Sequence, residues 1–251
     1  MPTNISWTQE TWNPWYGCKR VSPGCDHCYA DRDMTRYGKD FSTVTRSSKA
    51  VFEKPWKLKE PTLIFTCSWS DFFIHDADEW REEAWEIIKA TPQHTYQILT
   101  KRPGLMVAWA EKYGWPDNAW AGTSVESQKY APRLDVLARV PAKVRFVSYE
   151  PALGPVDFWR WLYCVLCDGV GCEWCNRRGR YLDWVIGGGE SGPNYRKAEL
   201  DWFRTTRDQC QAVGVPFFFK QISGPRPGMN PYLDGAQHHG MPGQRWALEA
   251  R

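Results

Sequence analysis

Seven of the nine cysteines fall in two tight groups. Cys18, Cys25 and Cys28 are spaced C-x6-C-x2-C, and Cys164, Cys167, Cys172 and Cys175 are spaced C-x2-C-x4-C-x2-C. Cys67 and Cys210 stand alone and read as buried thiols. Close cysteine pairs suit a metal, because a short turn aims two thiolates at one centre. A disulfide framework would spread its cysteines over distant segments. Met1 to Trp7 carries neither the basic start nor the apolar stretch of an export signal. The expectation is a reduced, cytoplasmic metalloprotein.

The two groups differ in what they can hold. The second offers four thiolates, with Gly169 and Gly171 between its two turns, enough for a closed tetrahedral site. Zinc is the default there, and a second iron–sulfur cluster the alternative. The first group is one ligand short of either kind of closed site. Either His27 or Asp26 completes a zinc knuckle, or one iron of a cluster keeps an open position for a cofactor or substrate. Trp174, Arg177, Arg178 and Arg180 cluster at the end of the second group. They read either as a phosphate-contacting, base-stacking patch or as a solvated basic turn.

Elements that would position these groups are legible along the chain. With 251 residues, 24% charged and 42% hydrophobic, the sequence is not that of a disordered chain, and no apolar run is long enough to span a bilayer. No membrane partner is expected. The net charge of +3 permits a nucleic-acid partner without arguing for one. The 16 tryptophans, spread along the chain, suit a core with a few stacking surfaces. Strands are expected at 62–67, 95–100, 120–125, 144–148, 184–186 and 215–220. Helices are expected at 29–37, from 76 onward, and at 105–113, 128–140 and 199–213, several stopped by glycine. The helix that opens at 76 should bury Trp80, Ala84, Trp85 and Ile88, and the last should turn Leu200, Phe203 and Cys210 inward.

About six β-then-α units imply parallel strands with helices outside, short of a full eight-unit barrel. Polar residues mark most strand ends: Ser68, Ser70 and Asp71; Thr100, Lys101 and Arg102; Ser124 and Glu126; Ser148 and Glu150; Glu190; Lys220 and Gln221. Sites in parallel α/β folds lie at the C-terminal strand ends. Residues 1–251 are expected to form one barrel domain, with 157–182 a metal-binding insertion between two strands and 223–251 an irregular tail.

Three closely spaced cysteines near the start of such a barrel resemble the radical S-adenosylmethionine (SAM) superfamily. Further segments carry the resemblance: Trp12-Asn13-Pro14, Gly17-Cys18, Gly24 to Ala30, Leu99 to Pro103, Val147 to Pro151, Gly188 to Gly192, Arg207 to Cys210 and Phe217 to Gln221. Together they resemble a phage-associated branch of it, although the first gap is six residues where the commonest spacing has three. The resemblance implies an α/β fold, a partial (β/α)6-type radical SAM barrel with a small four-cysteine metal-binding insertion. It implies a 4Fe–4S cluster on Cys18, Cys25 and Cys28, with S-adenosyl-L-methionine chelating the open iron. One electron, supplied by a reductase or flavodoxin-type donor, would split the cofactor into methionine and a 5′-deoxyadenosyl radical that abstracts a hydrogen atom.

Under the same resemblance, Ser70, Asp71, Thr100, Ser124, Glu126, Ser148 and Glu150 would bind the cofactor. Lys101, Arg102, Glu190, Lys220 and Gln221 would face substrate. Gly187-Gly188-Gly189-Glu190 resembles the superfamily's Gly-Gly-Glu, which binds the methionine amino group, but it lies later in the chain. The expected substrate is DNA or a nucleotide, with isomerisation of a hypermodified thymidine in viral DNA as one reaction and lyase repair of spore photoproduct as another. Two readings compete: a non-catalytic zinc protein that binds nucleic acid through both cysteine groups, and a hydrolase built on strand-end carboxylates.

Overall fold

The computed structural model describes residues 3–175 and 178–243. In chain order the elements are β1 (Glu10–Trp12), β2 (Trp15–Tyr16), α1 (Tyr29–Arg36), β3 (Thr45–Arg46), α2 (Lys49–Phe52), α3 (Lys54–Lys57), β4 (Leu63–Thr66), α4 (Asp78–Ala90) and β5 (Thr95–Thr100). Then come α5 (Pro103–Tyr113), β6 (Ala119–Ser124), α6 (Arg133–Leu137), β7 (Arg145–Tyr149), α7 (Trp159–Leu162), β8 (Trp184–Gly188), α8 (Leu200–Ala212) and β9 (Phe217–Gln221). Strands β1, β4, β5, β6, β7, β8 and β9 form one sheet in that order, every neighbouring pair parallel.

Each crossover therefore advances one strand in the same direction. Right-handed crossovers of this kind put the helices on one face and curl the sheet about the other. The result is an open seven-stranded half-barrel, the α/β partial barrel expected, with the four-cysteine segment between β7 and β8. No helix among the described residues is long and apolar enough to cross a membrane.

Alternation along the strands divides the apolar residues between two cores. Ile64, Tyr96, Ile98, Val147, Val185 and Phe219 pack against Trp85, Met106, Leu134 and Phe203 of the helices. Phe65, Phe146, Trp184, Ile186 and Phe218 face the concave side, where Trp7 joins them. The Trp7 ring lies 4.6 Å from Phe65 and 6.0 Å from Trp184, so the segment ahead of β1 floors the half-barrel. The polar strand ends rise above this aromatic floor at the C-terminal rim.

Three differences from the sequence expectation have local causes. Strand β1 is only three residues long at a sheet edge, and its Glu-Thr-Trp sequence shows no alternation of apolar residues. The expected helix at 128–140 is a 3-10 turn at Gln128–Tyr130 followed by α6, since Pro132 offers no amide to a continuous ladder. Leu200 is the first residue of α8 and is exposed, while Phe203, Thr206 and Cys210 turn inward.

The chain after β9 covers that strand's free edge. The amide of Phe219 donates to His238 O at 2.7 Å, and that of Gly240 to Phe217 O at 3.0 Å. Trp184 Nε1 donates to Gly240 O at 2.6 Å. Asp234 ties this segment to α8 by accepting from Arg204 and Arg207 at 2.7–2.8 Å. Those guanidinium groups, Arg204 first, hold the Asp234 carboxyl at about 2, below its ordinary 3.8. A depressed carboxylate stabilises the fold above its ordinary value and loses that contribution as pH falls through the lowered one. Amide protection of Gly240 is therefore expected to drop between pH 3.8 and about 2. In Asp234→Asn it should be low throughout that window, with no step.

Candidate metal and cofactor site at the strand ends

Residues 13–28 run from β1 into α1 and carry the three-cysteine group across the C-terminal rim. Gly17 sets the entry. Its φ is +90°, and a Cβ there would lie 2.3 Å from Thr43 O, so only glycine fits. The next amide, Cys18 N, donates to Phe41 O at 2.8 Å. Ser70 Oγ donates to Gly17 O at 2.5 Å. Asn13 accepts from Trp69 N at 2.9 Å and bonds Ser68 Oγ, and Tyr29 donates to Ser68 O at 2.6 Å. The loop's two ends are thus pinned to the chain after β4.

Its middle reaches further along the sheet. Ser22 Oγ donates to Glu126 Oε1 at 2.5 Å, beyond the end of β6. A Cβ on Gly24 would come within 2.5 Å of the same carboxylate, so the approach requires glycine. His27 Nδ1 lies 2.9 Å from Glu190 Oε2, beyond the end of β8. The six residues between Cys18 and Cys25 are what allow the loop to span from the β4 and β5 ends to those of β6 and β8.

Cys18, Cys25 and Cys28 are all partly exposed. Burial, aided by the Asp71 carboxylate, pushes the Cys18 thiol up to about 11, against the Arg102 guanidinium 3.9 Å away. Burial also raises Cys28, opposed by the amides of Asp31 and Ala30 at the start of α1 and by Lys101. Metal binding here must release protons.

The spacing of the sulfurs separates the two cysteine groups. Four thiolates about 2.3 Å from a single tetrahedral ion lie about 3.8 Å apart. In the second group the Cys164–Cys172 sulfurs are 3.9 Å apart, and the Cys167–Cys175 and Cys172–Cys175 pairs 3.7 Å. All four lie within 4.8 Å of one another, and this group could bind a metal ion. Among the described residues the first three sulfurs do not form such a group. With three thiolates the loop is one ligand short of a closed four-ligand site. His27 and Asp26, the candidate fourth ligands, turn toward Glu190 at 2.9 Å and Arg196 at 3.5 Å.

The other expected site residues divide by what they touch. Asp71 is buried and accepts from Thr100 Oγ1 at 2.6 Å, Phe73 N at 2.9 Å, Lys101 N at 3.0 Å and Arg102 Nη1 at 2.9 Å. Glu126, wholly buried, takes Arg133 at 2.9 Å besides Ser22, with Lys101 Nζ at 3.9 Å. Arg133 also donates to Ser124 O at 2.8 Å. Ser148 is buried at the end of β7. Glu150 accepts from Lys220 at 2.7 Å, drawing a cofactor candidate and a substrate candidate together. Gln221 is buried, donating to Gly189 O at 3.1 Å and accepting from Gly228 N.

Glu190 is 5% exposed and bound by Arg196 through both the backbone amide and the guanidinium. Arg102 and Glu190 thus meet partners inside the protein. Sequence reasoning passed over Ser22, Arg133 and Arg196. No local motif flags them, because their partners lie far away in the chain.

The four-cysteine insertion sits at the opposite rim. Arg178 donates to Ala142 O at 2.7 Å and Lys143 O at 3.1 Å and pairs with Asp183 at 3.1 Å, all just ahead of β7 and β8. Arg180 also pairs with Asp183, at 3.3 Å. These two arginines lash the insertion to the barrel, and Arg177 lies outside the described residues. Burial raises the Cys175 thiol, but donation from the Cys172 and Gly179 amides, each 3.2 Å away, and from the Cys167 and Cys172 thiols brings it down to about 6. Five residues of β7 at about 3.3 Å each separate the two rims.

A family model described as "Protein of unknown function (DUF5131)" matches residues 2–246, and the chain belongs to that family. No curated protein sequence matches the chain. Among solved structures, a mutant spore photoproduct lyase with bound AdoMet and dinucleoside spore photoproduct is 14% identical, over 81% of this chain and 61% of that one, at a TM-score of 0.46. Spore photoproduct lyase complexed with dinucleoside spore photoproduct is also 14% identical, over 79% and 60%, at a TM-score of 0.43. The chain thus spans about three fifths of the length of either structure.

Proposed function

We propose that the chain is a radical SAM enzyme, with its cluster on Cys18, Cys25 and Cys28 and a pyrimidine of DNA or a nucleotide as substrate. One observation carries this reading. Three partly exposed cysteines lie on one loop at the C-terminal rim, and neighbouring His27 and Asp26 face other partners, which leaves the group one ligand short of a closed site. When bound, a 4Fe–4S cluster with SAM supplies a 5′-deoxyadenosyl radical able to remove a hydrogen atom from an unactivated C–H bond.

The chain's own residues do the rest. The loop roofs the concave face, and the aromatic floor of Trp7, Phe146, Trp184 and Phe218 keeps water from below. Ser70, Asp71, Thr100 and Glu126 brace the loop and the strand ends rather than standing free, while Ser124, Ser148 and the Glu150–Lys220 pair line the rim for the cofactor and substrate. A cavity of about 340 Å³ opens beside the loop, lined in part by Lys129, Tyr130 and Lys197. Cations beside an aromatic ring suit a phosphate and its base. A target base in duplex DNA must leave the stack to reach such a rim. Isomerisation of a hypermodified thymidine and repair of a thymine photoproduct both fall within this chemistry. An external electron donor is required. The proposed site of action is the cytoplasm.

The four-cysteine insertion is proposed to hold one zinc ion, because its sulfur spacings match a mononuclear tetrahedral site. It would brace the barrel from the N-terminal rim, taking no part in the chemistry.

The substrate is tested by anaerobic reconstitution of the full chain with iron, sulfide, SAM and modified duplex DNA, followed by nucleoside mass spectrometry. The reading expects 5′-deoxyadenosine or a nucleoside of changed structure that depends on the reduced cluster. Turnover of a free amino acid or peptide, with every nucleoside untouched, would contradict the proposed substrate.

A further inference from the structure

Two arginines grip the three-cysteine loop from opposite sides, and a buried carboxylate orients each of them. Arg102 follows β5. Its Nη1 donates to Asp71 at 2.9 Å and lies 3.9 Å from Cys18 Sγ, and its Nη2 donates to Lys19 O at 2.8 Å. Arg196 follows β8. Its Nε donates to Glu190 Oε2 at 3.0 Å, and its Nη2 donates to Glu190 Oε1 and to Pro23 O at 2.9 Å. Its Nη1 stands 3.5 Å from Asp26. Glu190 in turn holds His27, between Cys25 and Cys28.

Both carboxylates are committed to groups inside the protein. Asp71 accepts from four groups and Glu190 from three groups on Arg196 besides meeting His27. A guanidinium that binds a carboxylate with one edge and a loop carbonyl with the other is a rigid strut, which an ammonium cannot reproduce. We infer that Arg102 and Arg196 are positioning residues for the three-cysteine loop, Arg102 fixing Cys18 and Arg196 fixing the Pro23–Cys28 stretch, rather than cations for substrate. The inference rests on the proposed cluster.

It predicts two separable effects. Groups that orient metal ligands typically contribute 10–100-fold to metal retention. Arg102 alone also brings a positive charge and an N–H toward a ligand sulfur, and such donors favour the more negative, reduced state of a cluster. The test uses the full chain, reconstituted anaerobically as wild type, Arg196→Ala, Arg196→Lys, Arg102→Gln and Arg102→Lys. Iron release to a chelator and the cluster's reduction potential are measured, with thermal melting as the check on folding.

Arg196→Ala is expected to release iron roughly 10–100-fold faster with little change in potential. Arg102→Gln should release iron faster and also show a more negative potential. Lysine at either position should recover only part of the retention, and it decides the matter where a neutral variant fails to fold. Release rates within twofold of wild type, with an unchanged potential in Arg102→Gln, would overturn the inference while leaving the enzyme reading intact. A wild-type protein that takes up no iron–sulfur cluster would instead remove the reading on which it rests.

Discussion

Replacing any one of Cys18, Cys25 and Cys28 by alanine is expected to abolish reductive SAM cleavage, a loss of at least several hundred-fold, while the barrel still unfolds at close to the wild-type temperature. The two halves of this expectation have separate grounds. In the proposed cluster site the neighbouring His27 and Asp26 are held by Glu190 and Arg196, so neither stands ready to replace a missing thiolate. The three cysteines are partly exposed at the margin of the core, and the buried Trp15 that anchors the same segment is untouched, so the stability cost stays small. The loop is also fastened by groups other than the cysteines: Gly17, Ser22, Tyr29 and the two arginines. Single-turnover assay of 5′-deoxyadenosine beside a thermal melt reads both halves. Near-normal cleavage in any one variant would show that its cysteine does not hold the cluster. A collapse of the melt would show that the loop is structural.

Removing the metal from the four-cysteine insertion, by chelation or by Cys167→Ala, is expected to melt residues 163–182 locally and leave the strands intact. The segment has little apolar substance of its own, with Val165, Leu166 and Val170 exposed at 68%, 67% and 86%. Structural zinc in peptides of this kind contributes about 10–16 kcal/mol, so such folds exist only with metal bound. The tethers to the barrel run through Arg178, Arg180 and Asp183, which depend on the insertion keeping its shape. Hydrogen exchange should show protection lost at Val170 and Gly179, with β5 to β9 unaffected. SAM cleavage at the far rim should persist at roughly the wild-type rate. Concerted loss of the whole sheet, or loss of cleavage with the sheet intact, would contradict the purely bracing role.

Local chemistry explains what the sequence made legible. The cysteine groups stood out because metal ligation demands short spacings. Thr95–Thr100 showed as a strand to the residue, since it is β-prone and bounded by a helix stop and by Pro103. Polar strand ends were visible because they interrupt apolar runs. The architecture followed from the repeated order of strands and helices. Strand β1 was hidden, because its order comes from pairing with β4 across fifty residues rather than from its own pattern. Arg196 was hidden for the same reason, its loop partners Pro23 and Asp26 lying about 170 positions away. Arg102 was visible as a strand-end cation, but its engagement by Asp71 and the cysteine loop exists only in three dimensions. A sequence marks where a charge lies more readily than what already neutralises it.

Elemental and sulfide analysis of the full chain, purified without oxygen and reconstituted with iron and sulfide, tests the central claim most directly. Four irons and four sulfides are expected on the loop of Cys18, Cys25 and Cys28, together with one zinc on Cys164, Cys167, Cys172 and Cys175. A brown protein that loses its iron, and not its zinc, in Cys25→Ala is the result this account predicts. A colourless protein carrying two zinc ions and no iron would contradict it.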